Sequence, residues 1–166
     1  MLEKTTCYLS GPISYVDVDW RGPLLDVLNN FNINVFDPFR DPKQQWVAKL
    51  EEAKVKGDVK TYQDICRKFV RKDLAIVDRC DFVVAYLPYK VPTVGTHHEI
   101  INANNSKKPT LLFCPTGIFN IPPWYWGFID PKYFFAELDH LETYLMEVDN
   151  GLHKDDFRWS VAYGDI

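Results

Sequence analysis

The sequence has no CxxC cysteine pair, no dense basic run and no apolar stretch of membrane-spanning length. Its four cysteines, Cys7, Cys66, Cys80 and Cys114, are scattered. No disulfide framework is implied, and four reduced thiols are expected. A net charge of −4 argues against a nucleic-acid groove, while leaving room for a small anionic ligand held by one or two cations. A membrane helix needs about 20 apolar residues, and no run approaches that length. Met1 to Thr6 lacks the basic-then-apolar pattern of a signal peptide. The expectation is a cytoplasmic chain with no membrane and no nucleic-acid partner. No repeat, low-complexity tract or linker interrupts the 166 residues. A single domain over 1–166 is therefore expected, with 150–166 as a C-terminal tail.

Hydrophobic residues make up 46% and charged residues 25%, as in an ordinary globular domain. Aromatic content is high at 15%, and much of it lies in Trp124 to Phe128 and Tyr133 to Phe135. Thr5 to Leu9 reads as a buried strand stopped by Ser10-Gly11-Pro12. Arg21 to Phe31 has helical spacing through Leu24, Leu25, Leu28 and Phe31. Ile33 to Phe36 is a second short strand, closed by Asp37-Pro38. Helices are expected over Gln44 to Lys56, ended by Gly57-Asp58, and over Asp64 to Arg79.

Phe82 to Leu87 is continuously apolar and rich in β-branched residues, as in a strand covered on both faces. Pro88 to Gly95 is loop, and Thr96 to Asn105 a short helix. Pro109 to Cys114 is another strand. Pro115 to Pro131 is loop with one helical turn around Trp124. Tyr133 to Ala136 is a last strand, and Leu138 to Val148 a last helix. This alternation predicts an α/β fold: a flavodoxin-like three-layer sandwich with a mainly parallel five-stranded sheet. Ligands in such sheets lie beyond the carboxyl ends of the strands. The loops Ser10 to Trp20, Asp37 to Pro42 and Pro88 to Glu99 are therefore the places to look.

Thr96 can cap the helix that follows, and Gly95 allows a close backbone approach to a ligand. Glu99 then has two readings. Thr96-x-x-Glu99 fits a capping box, with Glu99 folded onto its own helix end. Alternatively, Glu99 faces the cleft. Taken alone, Asp73 reads as a solvated helix charge and Tyr8 as core. Arg21 is either a phosphate ligand or an ordinary ion-paired arginine. Phe39, Arg40 and Asp41 either contact a ligand or serve the loop. Trp20 and Trp124 either stack on a ligand or pack in the core. His97 and His98 lack further ligands at metal-site spacing, so no metal site is read here.

Taken together, Tyr8-Leu-Ser-Gly-Pro-Ile13, Asp73, Asp81-Phe-Val-Val-Ala85 and Gly95-Thr-His-His-Glu99 resemble the nucleoside 2-deoxyribosyltransferase family. That family includes the related 2'-deoxynucleoside 5'-phosphate N-hydrolases. The resemblance extends to Pro109-Thr-Leu-Leu-Phe113 and Trp126-Gly127. It covers most of residues 5 to 145, with an insertion between Arg40 and Tyr62. It implies that Glu99 is the nucleophile, Asp73 the carboxyl group on the base side and Tyr8 the hydroxyl beside the nucleophile. Thr93 falls where the transferases typically carry Asp, which handles the sugar 5'-hydroxyl, and the hydrolases Ser, which holds a 5'-phosphate. A neutral hydroxyl is nearer to Ser. Ser10, Gly11, Pro12, Arg21, Asp37, Phe39, Gly95, Thr96 and Trp124 become candidate substrate-binding residues. The implied partners are a nucleoside or nucleotide, a nucleobase, and further copies of the chain in a homo-oligomer of two or more. No cofactor is implied.

The residue types suit the chemistry. Breaking a deoxyribose C1'–N bond leaves positive charge on the sugar and negative charge on the base. A carboxylate beneath C1' stabilises the cation and can trap it as an ester. A second carboxyl group can protonate the departing base. Attack on the ester by another base gives transfer, and attack by water gives hydrolysis. A nucleotide-binding module without catalysis and a NAD-cleaving enzyme remain as rival expectations.

Overall fold

Strand Phe82–Tyr86 is buried at every residue, as its unbroken apolar run requires. It forms the middle of the sheet in the computed structural model, which describes residues 1–13, 18–40 and 44–164. The strands are β1 (Thr6–Ser10), β2 (Asn34–Phe36), β3 (Phe82–Tyr86), β4 (Thr110–Phe113) and β5 (Phe134–Phe135). They lie in the order β2-β1-β3-β4-β5 in one five-stranded sheet. All four neighbouring pairs are parallel, so the sheet is wholly rather than mainly parallel.

The helices are α1 (Arg21–Asn30), α2 (Gln44–Lys56), α3 (Val59–Arg79), α4 (Val94–Asn105), α5 (Pro123–Trp126), α6 (Leu138–Asp149) and α7 (Ser160–Tyr163). α1 packs against α6, while α3 packs against both α2 and α4. The result is a flavodoxin-like three-layer α/β sandwich. Among the described residues, no helix is long and apolar enough to cross a membrane.

Two helix starts differ from the sequence reading. α3 begins at Val59, five residues before the expected Asp64, because the Asp58 side chain caps it by accepting from the Thr61 amide at 3.0 Å. The Gly57-Asp58 pair thus ends one helix and starts the next. α4 begins at Val94, with Thr93 at the cap position rather than Thr96.

The end of α3 is closed by a side chain from elsewhere. The Lys108 ammonium donates to the carbonyls of Val77, Asp78 and Cys80 at 2.7, 2.5 and 2.5 Å. A cation at a helix C-terminus satisfies orphan carbonyls and complements the dipole. The C-terminal tail is folded onto the domain. Trp159 is fully buried and donates from Nε1 to the Tyr144 hydroxyl at 2.8 Å.

The chain runs from β1 outward to β2 and returns to β3 on the other side of β1. The topological switch therefore lies between β1 and β3, and the crevice expected to hold ligands opens at their carboxyl ends. Ser10 ends β1 there, in register with Ala85 of β3.

Candidate active site

Alternation along β1 puts Tyr8 and Ser10 on one face of the sheet. α4 packs against β1 and β3, and Glu99 is its sixth residue. That position is too far along for a capping box, which requires the third residue. Glu99 instead reaches β1. The Tyr8 hydroxyl donates to Oε1 at 2.8 Å, and the Ser10 hydroxyl donates to Oε2. Both donors are fully buried, while Glu99 is half-buried. The carboxylate is thus held from the β1 side by two hydroxyls.

The Tyr8 phenol is pushed far above its ordinary acidity range. Burial is the largest cause, followed by the charges of Glu99 and Asp73 and by the hydrogen bond to Glu99. Tyr8 therefore remains a protonated donor. Asp73, on α3, is close enough for its charge to act on Tyr8. The charges of two carboxyl groups, one from α3 and one from α4, thus bear on the β1 phenol.

The loop after β1 is held by stacking. The Trp20 and Tyr86 rings lie parallel, 4° apart in angle and 4.8 Å between centroids. The Arg21 guanidinium lies 4.0 Å from the Trp20 ring centre and 4.8 Å from that of Phe39. Its Nε donates to Asp37 at 3.2 Å and its Nη1 to the Pro12 carbonyl at 3.3 Å. Trp20 Nε1 donates to the same carbonyl at 3.3 Å. Asp37 is buried and also accepts from the Phe39 amide at 3.0 Å. Burial lowers the Arg21 pKa, and Asp37 opposes that shift.

A β-carbon at Gly11 would strike the Trp20 indole, so ring packing accounts for glycine there. A β-carbon at Gly95 would meet nothing within 4 Å, which leaves open space at the start of α4. Beyond the site, a hollow of about 470 Å³ on the outer side of β2 is bordered by Leu25, Asn29, Phe36 and Asp37, among others. Glu99 is not part of it.

Thr93 is buried at the start of α4, and its hydroxyl pairs with His97 Nε2 at 3.1 Å. His97 Nδ1 pairs in turn with the Tyr125 hydroxyl. Burial lowers the His97 pKa and raises that of Tyr125. Thr96 is also buried, inside the first turns of α4. Trp124, on α5, is 78% exposed; it does not join the aromatic core.

The structure therefore brings Tyr8, Ser10 and Glu99 together, with Asp73 near enough for its charge to act on Tyr8. It gathers Gly11, Pro12, Arg21, Asp37 and Phe39 into the neighbouring stack. Thr93 is joined to His97 and Tyr125, whose part the sequence reading did not foresee. The signal was present, since Thr93 and His97 are four apart and share a helix face. It is legible only once the helix is known to begin at Val94. Asp41 lies outside the described residues. Among the described residues, no group of three or more histidine, cysteine or acidic side chains is placed to hold a metal ion. No family model matches the chain, and no curated protein matches it.

Proposed function

We propose that the protein cleaves the N-glycosidic bond of 2'-deoxynucleosides or their 5'-monophosphates. In this reading it transfers the deoxyribosyl group to another nucleobase through an ester on Glu99. The observation that carries the reading is the setting of Glu99 at the switch point: each oxygen accepts from a buried hydroxyl, on a side chain that is itself half-buried. That is the arrangement a nucleophilic carboxylate needs, because its rotamer is fixed before the substrate arrives.

In the first step a Glu99 oxygen attacks C1' from the face opposite the base. The C1'–N electron pair leaves with the base, which takes a proton from Asp73. In the second step an acceptor base attacks C1' and returns the electron pair to Glu99. Two inversions give net retention. Tyr8, kept protonated, holds the carboxylate throughout.

A second reading, hydrolysis of the 5'-monophosphate, is favoured by Thr93. A buried neutral hydroxyl at the start of α4 suits a phosphate better than a carboxylate would. The test uses a deoxynucleoside or its 5'-monophosphate, each with and without a second base. Base release that requires the acceptor supports transfer, whereas release from the monophosphate without acceptor supports hydrolysis. Binding without release would leave a nucleotide-binding module, and nicotinamide release from NAD would leave a NAD-cleaving enzyme. The same reading includes a homo-oligomer located in the cytoplasm, for which light scattering is the check on oligomeric state.

A further inference from the structure

Ser10 and Tyr8 hold different oxygens of the same carboxylate. The two hydroxyls are not equivalent. Tyr8 lies two residues deeper along β1 than Ser10, which is about 6–7 Å of strand. Ser10 is the last residue of the strand, at the end where ligands lie in this topology. Oε2, the oxygen bonded to Ser10, is therefore the one nearer the cleft, and Oε1 is the one tied back to Tyr8.

Taking Glu99 as the nucleophile, which rests on the proposal above, we infer that Ser10 is a positioning residue acting mainly on the second half of the reaction. It favours release of the sugar from Glu99 over its capture. The reason is the change of charge on Oε2. A hydrogen bond to an ionised oxygen is about twice as strong as one to a neutral oxygen. When the C1'–Oε2 bond forms and the C1'–N pair leaves with the base, Oε2 loses its charge. The Ser10 bond weakens, and the hydroxyl favours the starting carboxylate over the transition state.

In the second step the acceptor attacks C1' and gives its proton to Asp73. The C1'–Oε2 pair returns to Glu99, Oε2 regains its charge and the Ser10 bond strengthens. Only interactions stronger in the transition state than in the preceding ground state accelerate a step. Ser10 meets that condition for the second step and not for the first. Oε1 becomes the ester carbonyl oxygen and still accepts from Tyr8; that bond also weakens as the shared charge is lost, but it keeps the carboxyl group aimed at C1' in both steps.

The test compares wild type, Ser10→Ala and Ser10→Thr by rapid-quench measurement of base release from a deoxynucleoside. Intact-protein mass is followed for the deoxyribosyl adduct. In Ser10→Ala the first burst of base stays within about threefold of wild type. Steady turnover falls about 10- to 100-fold, as expected for a lost hydrogen bond to a charged oxygen, and adduct accumulates. Ser10→Thr keeps a hydroxyl and restores turnover without adduct. Burst and turnover falling together, or neither changing, overturns the role of Ser10. A wild-type protein that releases no base from any donor overturns the glycosidic reading, and this inference with it.

Discussion

The Tyr8 hydroxyl and the Glu99 carboxylate stand 2.8 Å apart although 91 positions separate them in the chain. The parallel crossover from β1 to β3 and its following helix closes that gap, and burial keeps the phenol protonated. If the pair works as proposed, Glu99→Gln removes at least roughly 10³-fold of base release. Tyr8→Phe keeps the ring and loses the donor, and should cost about 10- to 100-fold in kcat/KM. Initial rates on a deoxynucleoside, with melting curves to show intact folding, check both. Near-normal turnover in Glu99→Gln removes the nucleophile from the proposal.

Asp73 acts on the same phenol through its charge, from α3, the helix packed beside α4. As the proton donor to the departing base, it should matter to bond cleavage more than to binding. Asp73→Asn is expected to lower kcat for ordinary nucleosides while leaving Kd within a fewfold. A nucleoside analogue with a leaving group that needs no proton should be largely spared. An equal loss on both substrates would argue against a protonating role.

How much of this was legible in the sequence differs from residue to residue. Phe82 to Tyr86 declared its place in the sheet because five successive buried residues require cover on both faces. Glu99 was ambiguous, since Thr96-x-x-Glu99 is also the pattern of a capped helix start. Spacing could not decide between them, because the true start is set by Thr93, which makes no side-chain cap bond and turns to His97. The hydroxyl on Oε2 was hidden for a similar reason. Ser10 belongs to a loop-breaking Ser-Gly-Pro, and only tertiary packing shows where its side chain goes.

His97 offers a check on stability. Burial holds its pKa below the ordinary 6.5, so the folded state binds its proton less readily than the unfolded chain. Linkage then makes this contribution complete above about 6.5. It is lost as pH falls below that value toward the lowered folded pKa. Urea midpoints across this acid range should fall more steeply for wild type than for His97→Gln. Parallel curves would show that His97 does not resist protonation in the fold.

Lys108 carries a prediction for α3. Its ammonium serves three carbonyls at the helix end. Lys108→Met keeps much of the stem and removes the donors. A loss of about 1–3 kcal/mol is expected, lowering Tm by about 2–4 °C for each kcal/mol in a chain of this size. An unchanged Tm would mean that water satisfies those carbonyls equally well.

The placement of Tyr8 and Ser10 on β1 ties the site to the most protected part of the molecule. β1 is paired on both edges, with β2 and with β3. Its amides are expected among the slowest of the chain to exchange hydrogen. The alignment of Glu99 therefore has no low-energy local opening of its own on the strand side. Loosening of outer loops can change how ligands enter, while the two hydroxyls behind the carboxylate stay anchored to a strand paired on both edges.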